Sequence, residues 1–190
     1  MLLPLAIIGP GRLGRSAAQI LDAQGAEFAL VRRGERPPAA AVTWLTVPDR
    51  LIARVAADVP PGGVVLHASG AADHRILRPH PCVGSLHPLM SFPGPELGLP
   101  ETAIPAAVAG DDDAIEAATD LAVLLGFNPF RVLGDRALYH AAAVTAGNFA
   151  TVLLVQASRM LAAAGTSEEA ARALLGPLAI TSLKNAVDHG

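Results

Sequence analysis

The feature that most constrains the fold is a glycine-rich turn close to the start of the chain. The segment Gly9-Pro-Gly-Arg-Leu-Gly14 fits the pattern G-x-G-x-x-G and follows the apolar run Leu3–Ile8. Apolar residues then recur at helical spacing from Arg12 to Gln24, and Gly25 is suited to end that helix. A strand, a glycine turn and a helix in this order predict a dinucleotide-binding α/β unit.

Each glycine of this turn has a specific physical role. Gly9 allows the tight turn, Gly11 lets a pyrophosphate approach the backbone, and Gly14 lets the helix pack close to the sheet. The free N–H groups at the helix N-terminus favour an anion there. The alternative is a plain turn in which the glycines serve the backbone alone. The residues predicted to bind the cofactor here are Gly9, Pro10, Gly11, Arg12, Leu13 and Gly14.

The end of the second predicted strand bears on which dinucleotide is bound. NAD-binding domains usually place a carboxylate at this strand tip to hold the ribose 2′-hydroxyl. Here the tip carries Arg32 and Arg33, and a guanidinium can clamp a 2′-phosphate with two hydrogen bonds. The sequence therefore favours NADP over NAD. Glu35 lies close enough to weaken that preference, and the alternative is that both arginines are solvated surface charges.

Two later strand tips also carry small or polar residues. In open α/β sheets, ligands bind beyond the carboxyl ends of the strands. Val47, Pro48, Ser69 and Gly70 are therefore predicted to border the nicotinamide half of the cofactor. Asp49 follows directly, and we expect it to cap the next helix rather than to touch a ligand.

The chain changes character after about Gly134. Before it, short apolar runs alternate with helical patterns, which predicts a doubly wound parallel sheet covered on both faces. After it, strand patterns vanish and alanine dominates; 135–164 reads as one helix, and the capping box Thr166–Glu169 starts another. We expect a Rossmann dinucleotide-binding domain over 1–130 and an all-α domain over 131–190.

The uncharged stretch Ala137–Ser158 is long enough to span a bilayer. It contains His140, Asn148 and other polar residues that are unfavourable in a membrane, so we expect a buried helix of a soluble, cytoplasmic protein instead. Small residues recur along it at positions 142, 146 and 150 and at 143, 147 and 151. Such stripes allow close helix packing, and with so apolar a helix we expect a homodimer through this domain.

Composition excludes several other functions. The net charge is −3 and aromatic residues make up 4% of the chain, so we expect no nucleic-acid partner. The chain has one cysteine, and no compact zinc pattern fits the spacing of His67, His74, His80, Cys82 and His87, so we expect no metal. His67 lies within a predicted strand and is expected to be a core histidine.

His140 and Asn148 are the catalytic candidates on the long helix. Eight residues place their side chains about 80° apart on an α-helix, so both could face one cleft. A histidine suits proton transfer near neutral pH, and an asparagine could hold a carbonyl or an amide. The alternative is that both only satisfy neighbouring backbone groups. Tyr139, the sole tyrosine, is expected to pack.

Several segments together resemble a known family. These are the glycine loop, Val47-Pro-Asp49, His67-Ala-Ser-Gly-Ala71, Ser85-Leu-His-Pro-Leu-Met-Ser-Phe92, Ala107-Val-Ala-Gly-Asp111 and Leu138-Tyr-His-Ala-Ala-Ala-Val-Thr-Ala-Gly-Asn-Phe149. Over essentially the whole chain they resemble the uncharacterised Rossmann-like NADP oxidoreductases. That group is similar in architecture to pyrroline-5-carboxylate reductase, ketopantoate reductase, prephenate dehydrogenase and 6-phosphogluconate dehydrogenase. The resemblance implies a helical domain of the 6-phosphogluconate dehydrogenase C-terminal type.

The resemblance adds one site residue and shows two departures. A His-Pro-Met segment beside the cofactor of prephenate dehydrogenase is similar to the segment at His87, which makes His87 a third catalytic candidate. Family members are longer, so the helical domain is expected to be incomplete. Several relatives carry a lysine four or eight residues before the asparagine, where this chain has Val144 and His140. The relatives' mechanism therefore does not carry over intact.

These expectations combine into one functional hypothesis. The chain is expected to transfer a hydride between NADP(H) and a small carbonyl or imine substrate in a cleft between the domains. The alternative is a non-catalytic NADP-binding sensor or regulatory protein, which the missing lysine favours. A purely structural oligomerisation module is a further alternative. The substrate, the reaction direction and the proton donor do not follow from the sequence.

Overall fold

The computed structural model describes residues 4–98 and 103–190, and the chain forms two compact units over these residues. The first unit is Met1–His140 and the second is Ala141–Gly190. Helix α4, at Arg136–Val144, begins in the first unit and ends in the second. The domain boundary predicted at residues 130/131 stays a prediction.

The first unit is built on a seven-stranded sheet in the order β2-β1-β3-β4-β5-β6-β7. Its strands are β1 Leu5–Ile8, β2 Phe28–Val31, β3 Val42–Leu45, β4 Val64–His67, β5 Cys82–Pro88, β6 Pro105–Gly110 and β7 Asn128–Arg131. The strands flanking β1 are β2 on one side and β3 on the other, so the winding direction of the sheet reverses beside β1. In α/β sheets of this kind, ligands bind at that reversal.

Helices cover both faces of the sheet, as the sequence predicts. They are α1 Arg12–Ala23, α2 Ile52–Ala56 and α3 Asp112–Leu124. Ile7 and Trp44 are buried on one face with residues of α1 and α3, whereas Ile8 and Leu45 are buried on the other with residues of α2. Neighbouring residues of one strand thus serve opposite layers, because successive side chains of a strand alternate. The predicted fold class, a Rossmann-type domain followed by helices, is confirmed.

The sheet departs from the prediction in two places. β5 and β6 pair antiparallel, so the sheet is mixed rather than wholly parallel. β7 is absent from the sequence-based prediction, which places only the domain boundary, at residues 130/131, in this region. β7 is only four residues long and contains Pro129, a composition typical of an edge strand and weak as a sequence signal. The first strand was predicted from Leu3, which lies outside the described residues.

The second unit is helical. After a π-helical turn at Thr145–Phe149 it contains α5, Ala150–Ala163, and α6, Glu168–His189, which pack on each other. The helix predicted over 135–164 is therefore present, with a π turn inside it. The Ser167 hydroxyl caps α6 by accepting from the Ala170 N–H at 3.1 Å, so the cap is one residue later than Thr166.

The prediction that the long helix is buried is wrong for the chain on its own. The span Arg136–Ala163 is long and apolar enough to cross a bilayer by length and composition, and its most apolar stretch is not buried. Large apolar side chains such as Leu153 and Ile180 are exposed, because two packed helices cannot cover each other on all sides. The homodimer, the cytoplasmic location and the absence of a membrane partner stay predictions.

Candidate active site

The carboxyl ends of β1, β3, β4 and β5 lie side by side at one edge of the sheet, because these neighbouring strands run parallel. Two groups of residues follow these ends. We call the first the glycine-loop cavity, a concave space beside Gly9–Gly11. We call the second the histidine cluster, formed by Ser69, Gly70, His87, Arg136, Tyr139 and His140.

The glycine loop is locked against β3. Gly9 has a φ of +116°, and a Cβ there would lie 2.9 Å from the Thr46 carbonyl oxygen. A Cβ on Gly14 would overlap the Gly9 carbonyl oxygen, and the Thr46 hydroxyl donates to that same oxygen at 2.7 Å. Both glycines are therefore required by close backbone approach, which is the role the sequence assigns to them.

Gly11 differs from the other two glycines. It precedes the first turn of α1, where no side chain caps the helix and no acidic residue is present. A Cβ on Gly11 would have only the Thr46 carbonyl oxygen within contact range, at 4.0 Å. The space beside Gly11 is therefore open, and the uncapped helix N-terminus there suits an anion.

The cavity beside this turn has a volume of about 1060 Å³. Seven of the predicted cofactor residues line it: Gly9, Pro10, Gly11, Arg32, Arg33, Val47 and Pro48. Three arginines that the sequence analysis missed line it too: Arg36, Arg50 and Arg54. A usable signal was present, because Arg50 and Arg54 are four residues apart directly after the tip of β3.

Carboxylates offset little of this positive charge. Glu35 lines the cavity, and its carboxylate accepts a hydrogen bond from the Arg32 backbone N–H at 2.7 Å. Asp58 is the other acidic lining residue. None of the five lining arginines forms an ion pair within residues 4–98 and 103–190. The cavity thus presents guanidinium groups that are free to bind an anion.

The remaining predicted cofactor residues lie elsewhere. Arg12 is exposed, and Leu13 packs against the core. Gly14 is buried under the loop. Ser69 and Gly70 do not line the cavity; they belong to the histidine cluster instead.

The histidine cluster is built around Gly70. A Cβ on Gly70 would overlap His140 Nδ1 and lie 2.7 Å from His87 Cε1 and 2.9 Å from His87 Nε2. The rings of His87 and His140 meet edge to face, with centroids 6.0 Å apart. Glycine is therefore the residue that allows both imidazoles to approach the tip of β4, and two of the three predicted catalytic residues come together there.

Tyr139 completes the contact with His87. Its hydroxyl lies 2.8 Å from His87 Nδ1, and its ring packs against Phe130 with centroids 6.1 Å apart. The expectation that Tyr139 packs is confirmed, but it also holds a histidine. Burial, with a smaller effect from His140 and Arg136, lowers the pKa of His87 to about 4, whereas burial raises the pKa of Tyr139. Both groups are therefore neutral at pH 7.

Arg136 joins the cluster from the first turn of α4. Its Nη2 donates to the Ser69 carbonyl oxygen at 2.7 Å, and burial lowers its pKa. The sequence analysis did not single it out. Nothing local marks it, since its partner lies 67 residues earlier in the chain.

Asp49 does not cap a helix, which corrects the prediction. The Ser69 hydroxyl donates to its carboxylate at 2.7 Å, and the helix start carries no side-chain cap. The same Ser69 oxygen accepts from the backbone N–H of Ala72 at 2.9 Å. Asp49 therefore ties the tip of β3 to that of β4, a role that requires the neighbouring strand to be in place.

His67 is fully buried, which confirms it as a core histidine. Its Nδ1 accepts from the Ser69 backbone N–H at 3.1 Å, and burial lowers its pKa to about 4. Asn148 is exposed in the π turn of the second unit, so its role stays a prediction. In the part of the chain that the structure describes, no three His, Cys, Asp or Glu side chains are placed to hold a metal ion.

Comparison with known structures shows the same fold. Protein TM1727 from Thermotoga maritima is 24% identical, with a TM-score of 0.67, and the match covers 97% of this chain and 77% of that one. A reductive aminase from Aspergillus terreus, in complex with NADPH and ethyl-5-oxohexanoate, is 15% identical with a TM-score of 0.72 over 98% and 75%. The 1-pyrroline-5-carboxylate reductase of Streptococcus pyogenes is 11% identical with a TM-score of 0.62 over 96% and 78%.

Sequence comparison is less informative. A search of curated proteins finds no match. Residues 104–190 match the family model described as a domain of unknown function, DUF2520. The chain therefore combines a segment that matches DUF2520 with the Rossmann-type fold that it shares with these structures, as the resemblance implies.

Proposed function

We propose that the protein is an NADP-dependent oxidoreductase acting on a small carbonyl or imine compound. The observation that carries the proposal is the glycine-loop cavity. It combines an uncapped helix N-terminus with five arginines at the point where the winding direction of the sheet reverses. This combination suits a ligand with several phosphate groups.

The described residues fit the cofactor by their chemistry. Gly9, Gly11 and the first turn of α1 would hold the pyrophosphate, because close approach to the backbone is open at Gly11. Arg32 and Arg33 would hold the 2′-phosphate, with Arg36 beside them. Glu35 works against the preference for NADP, although the Arg32 backbone N–H already occupies part of its carboxylate. The bound cofactor would supply the hydride.

The histidine cluster would manage the proton. His87 is neutral at pH 7 and its Nδ1 is paired with the Tyr139 hydroxyl, so it would orient a substrate oxygen or nitrogen rather than protonate it as an imidazolium. His140 Nδ1 is buried beside Gly70 without a partner among the described residues, which makes His140 the candidate proton donor.

Structural relatives support this proposal by analogy of fold. The reductive aminase was solved with NADPH and a ketone, and the 1-pyrroline-5-carboxylate reductase is named for an imine substrate. Fold similarity at this identity supports a class of function and not a particular substrate.

Calorimetric titration with NADPH and NADH tests the cofactor proposal. We expect NADPH to bind the wild type more tightly than NADH. The double variant Arg32→Ala/Arg33→Ala should lose about 100-fold in NADPH affinity, the equivalent of about 2.8 kcal/mol, and little in NADH affinity. Arg131→Ala is the matched control, because Arg131 is exposed on β7 and does not line the cavity.

The outcomes separate the alternatives. Equal binding of both nucleotides would refute the NADP preference, and binding of neither would refute the cofactor proposal. If NADPH binds but no member of a panel of carbonyl and imine compounds oxidises it, the protein is a sensor rather than an enzyme. If turnover occurs, His140→Gln should lower kcat, whereas unchanged turnover would remove His140 as the proton donor.

A further inference from the structure

Arg136 carries unused hydrogen-bonding capacity inside the histidine cluster. Of its three guanidinium nitrogens, Nη2 donates to the Ser69 carbonyl oxygen at 2.7 Å. Nε and Nη1 are both shielded from solvent and have no partner among residues 4–98 and 103–190. Buried side-chain donors are nearly always paired in folded proteins, so two unpaired donors on one guanidinium are unusual.

The neighbouring carboxylates are committed to other partners. Asp73 is the acidic residue whose charge most affects Arg136, but the Arg75 guanidinium holds it with two hydrogen bonds of 2.9 and 2.7 Å. Asp49 accepts the Ser69 hydroxyl at 2.7 Å. Neither carboxylate forms an ion pair with Arg136. The guanidinium therefore has no counter-ion in the part of the chain that the structure describes.

The titratable neighbours His67, His87 and Tyr139 do not supply negative charge to Arg136 either. Burial lowers the pKa of His67 and His87 to about 4 and raises that of Tyr139, so all three are neutral at pH 7. Arg136 stays protonated, since arginine keeps its charge in proteins. A half-buried positive charge among neutral groups attracts an anion more strongly than it would in water, because the surroundings screen it less.

Arg136 lies on the same helix as Tyr139 and His140, so its charge is close to the groups proposed to handle the proton. Tyr139 follows one helical turn after it, His140 comes next, and His87 contacts both of these rings. A ligand bound at the cluster would thus lie near a guanidinium as well as near imidazole and phenol groups. Because Nε and Nη1 have no partner among the described residues, turning the guanidinium toward a ligand would break only its bond with Ser69 there.

We propose that the substrate of this protein carries a carboxylate beside its carbonyl or imine carbon, and that Arg136 binds the carboxylate. The proposal rests on the proposed oxidoreductase function and narrows its substrate class to short 2-oxo and 2-imino acids. A carboxylate matches a guanidinium in charge and hydrogen-bonding geometry, and it would occupy the donors that the chain leaves unpaired.

Calorimetry with matched pairs of compounds tests the proposal. The probes are the 2-oxo acids of three to six carbons, and each is paired with the methyl ketone in which a methyl group replaces the carboxylate. Inorganic phosphate serves as a second anion. Each is titrated into the wild type, Arg136→Gln and Arg136→Lys, with and without saturating NADPH. Arg131→Gln is the control for loss of an exposed arginine.

We expect at least one 2-oxo acid to bind the wild type tenfold or more tightly than its ketone and more tightly than phosphate. Arg136→Gln should abolish that difference. Arg136→Lys, which keeps the charge, should retain part of it and carries the test if Arg136→Gln does not fold. Oxo acids that bind no better than their ketones, or as well to Arg136→Gln, would overturn the proposal.

The titrations with and without NADPH distinguish the carboxylate-binding proposal from the oxidoreductase function on which it rests. If Arg136→Gln weakens NADPH binding as much as oxo-acid binding, the guanidinium serves the cofactor and the proposal fails. Tighter binding of phosphate than of every oxo acid would also overturn it. If the wild type binds an oxo acid through Arg136 but no NADPH, the anion site stands and the oxidoreductase function fails instead.

Discussion

The glycine-loop cavity and the histidine cluster lie at the same edge of one sheet, but they use opposite physical means. The cavity is open, and its arginines are exposed and form no ion pair with any residue that the structure describes. The cluster is partly buried: His87 and Tyr139 are neutral and closely packed, and the charged Arg136 is held by a single hydrogen bond. Side chains of the cavity should therefore matter for binding and little for folding, whereas those of the cluster should matter for both.

The strongest test of this comparison separates two glycines of one loop. Gly14→Ala would place a Cβ against the Gly9 carbonyl oxygen and 2.7 Å from Thr46 Oγ1, and this backbone contact cannot yield. We expect a loss of about 3 kcal/mol or more in the free energy of unfolding, or failure to fold. Urea denaturation measures it.

Gly11→Ala is the matched variant, because its Cβ would meet only one atom at 4.0 Å. It should lower the free energy of unfolding by at most about 1 kcal/mol, the effect of alanine at a helix N-cap. NADPH affinity should still fall at least about tenfold, since the methyl group occupies the path of the pyrophosphate to the backbone. Equal destabilisation by both variants would contradict the separate roles of the two glycines.

The second prediction concerns acid stability in the region of the cluster. The pKa of His67 is about 4 in the fold and 6.5 in the unfolded chain, so the unfolded chain binds more protons between these values. The contribution of neutral His67 to the free energy of unfolding should therefore be fully present above pH 6.5. It should be lost as the pH falls toward 4, which lowers the free energy of unfolding by on the order of 3 kcal/mol.

His67→Asn tests it. An asparagine oxygen can replace Nδ1 as the acceptor for the Ser69 N–H, but it does not titrate. Urea midpoints between pH 7 and 4 should fall less steeply in this variant than in the wild type. His189→Asn, at the exposed end of α6, should keep the wild-type slope. Identical slopes in all three proteins would mean that His67 is not held neutral by burial.

The third prediction concerns the centre of the cluster. Gly70→Ala should push the His87 and His140 rings away and lower the free energy of unfolding by about 1–3 kcal/mol, the range for overpacking. Gly134→Ala is the control, because it has open space and no unusual φ, and it should change stability by less than about 0.5 kcal/mol.

A second variant shows whether the clash itself is the cause. In a His140→Ala background, Gly70→Ala should be less destabilising than in the wild type, because one of the two contacts is gone. If Gly70→Ala lowers the free energy of unfolding by the same amount in both backgrounds, contact with His140 is not the cause. That result would contradict the packing described for the cluster.

The comparison also explains how much of the fold was predictable. β1, α1 and the glycine turn are contiguous in sequence and carry strong local patterns, so their bounds agree with prediction to within about two residues. The antiparallel pairing of β5 with β6 has no local signature, since strand direction depends on where the chain returns. β7 was missed because four residues with a proline give no periodic signal.

The same reasoning applies to the site. The sequence predicts that Arg32, Arg33, Gly9 and Gly11 lie together, because a glycine turn and the next strand tip are adjacent in this kind of fold, and they do line one cavity. It does not predict the contacts of Arg136 and Tyr139, because their partners Ser69 and His87 lie 67 and 52 residues away in the chain. The prediction that the long helix is buried was wrong for a related reason. An apolar sequence pattern identifies a helix face that favours contact, but it does not identify the segment that contacts it.

The smallest expected effect belongs to the second pair of arginines in the cavity. Arg50 and Arg54 are exposed, line the cavity from the chain that follows β3, and form no ion pair in the described residues. Arg50→Ala/Arg54→Ala should lower NADPH affinity about tenfold, the equivalent of about 1.4 kcal/mol, because each lost guanidinium is largely solvated. The loss should shrink at high salt, which screens exposed charges. Stability should change by less than about 0.5 kcal/mol, since both side chains are exposed. A large drop in the free energy of unfolding, or a loss of NADPH affinity that does not depend on salt, would contradict this prediction. Either result would mean that these arginines support the fold, as the side chains of the histidine cluster do.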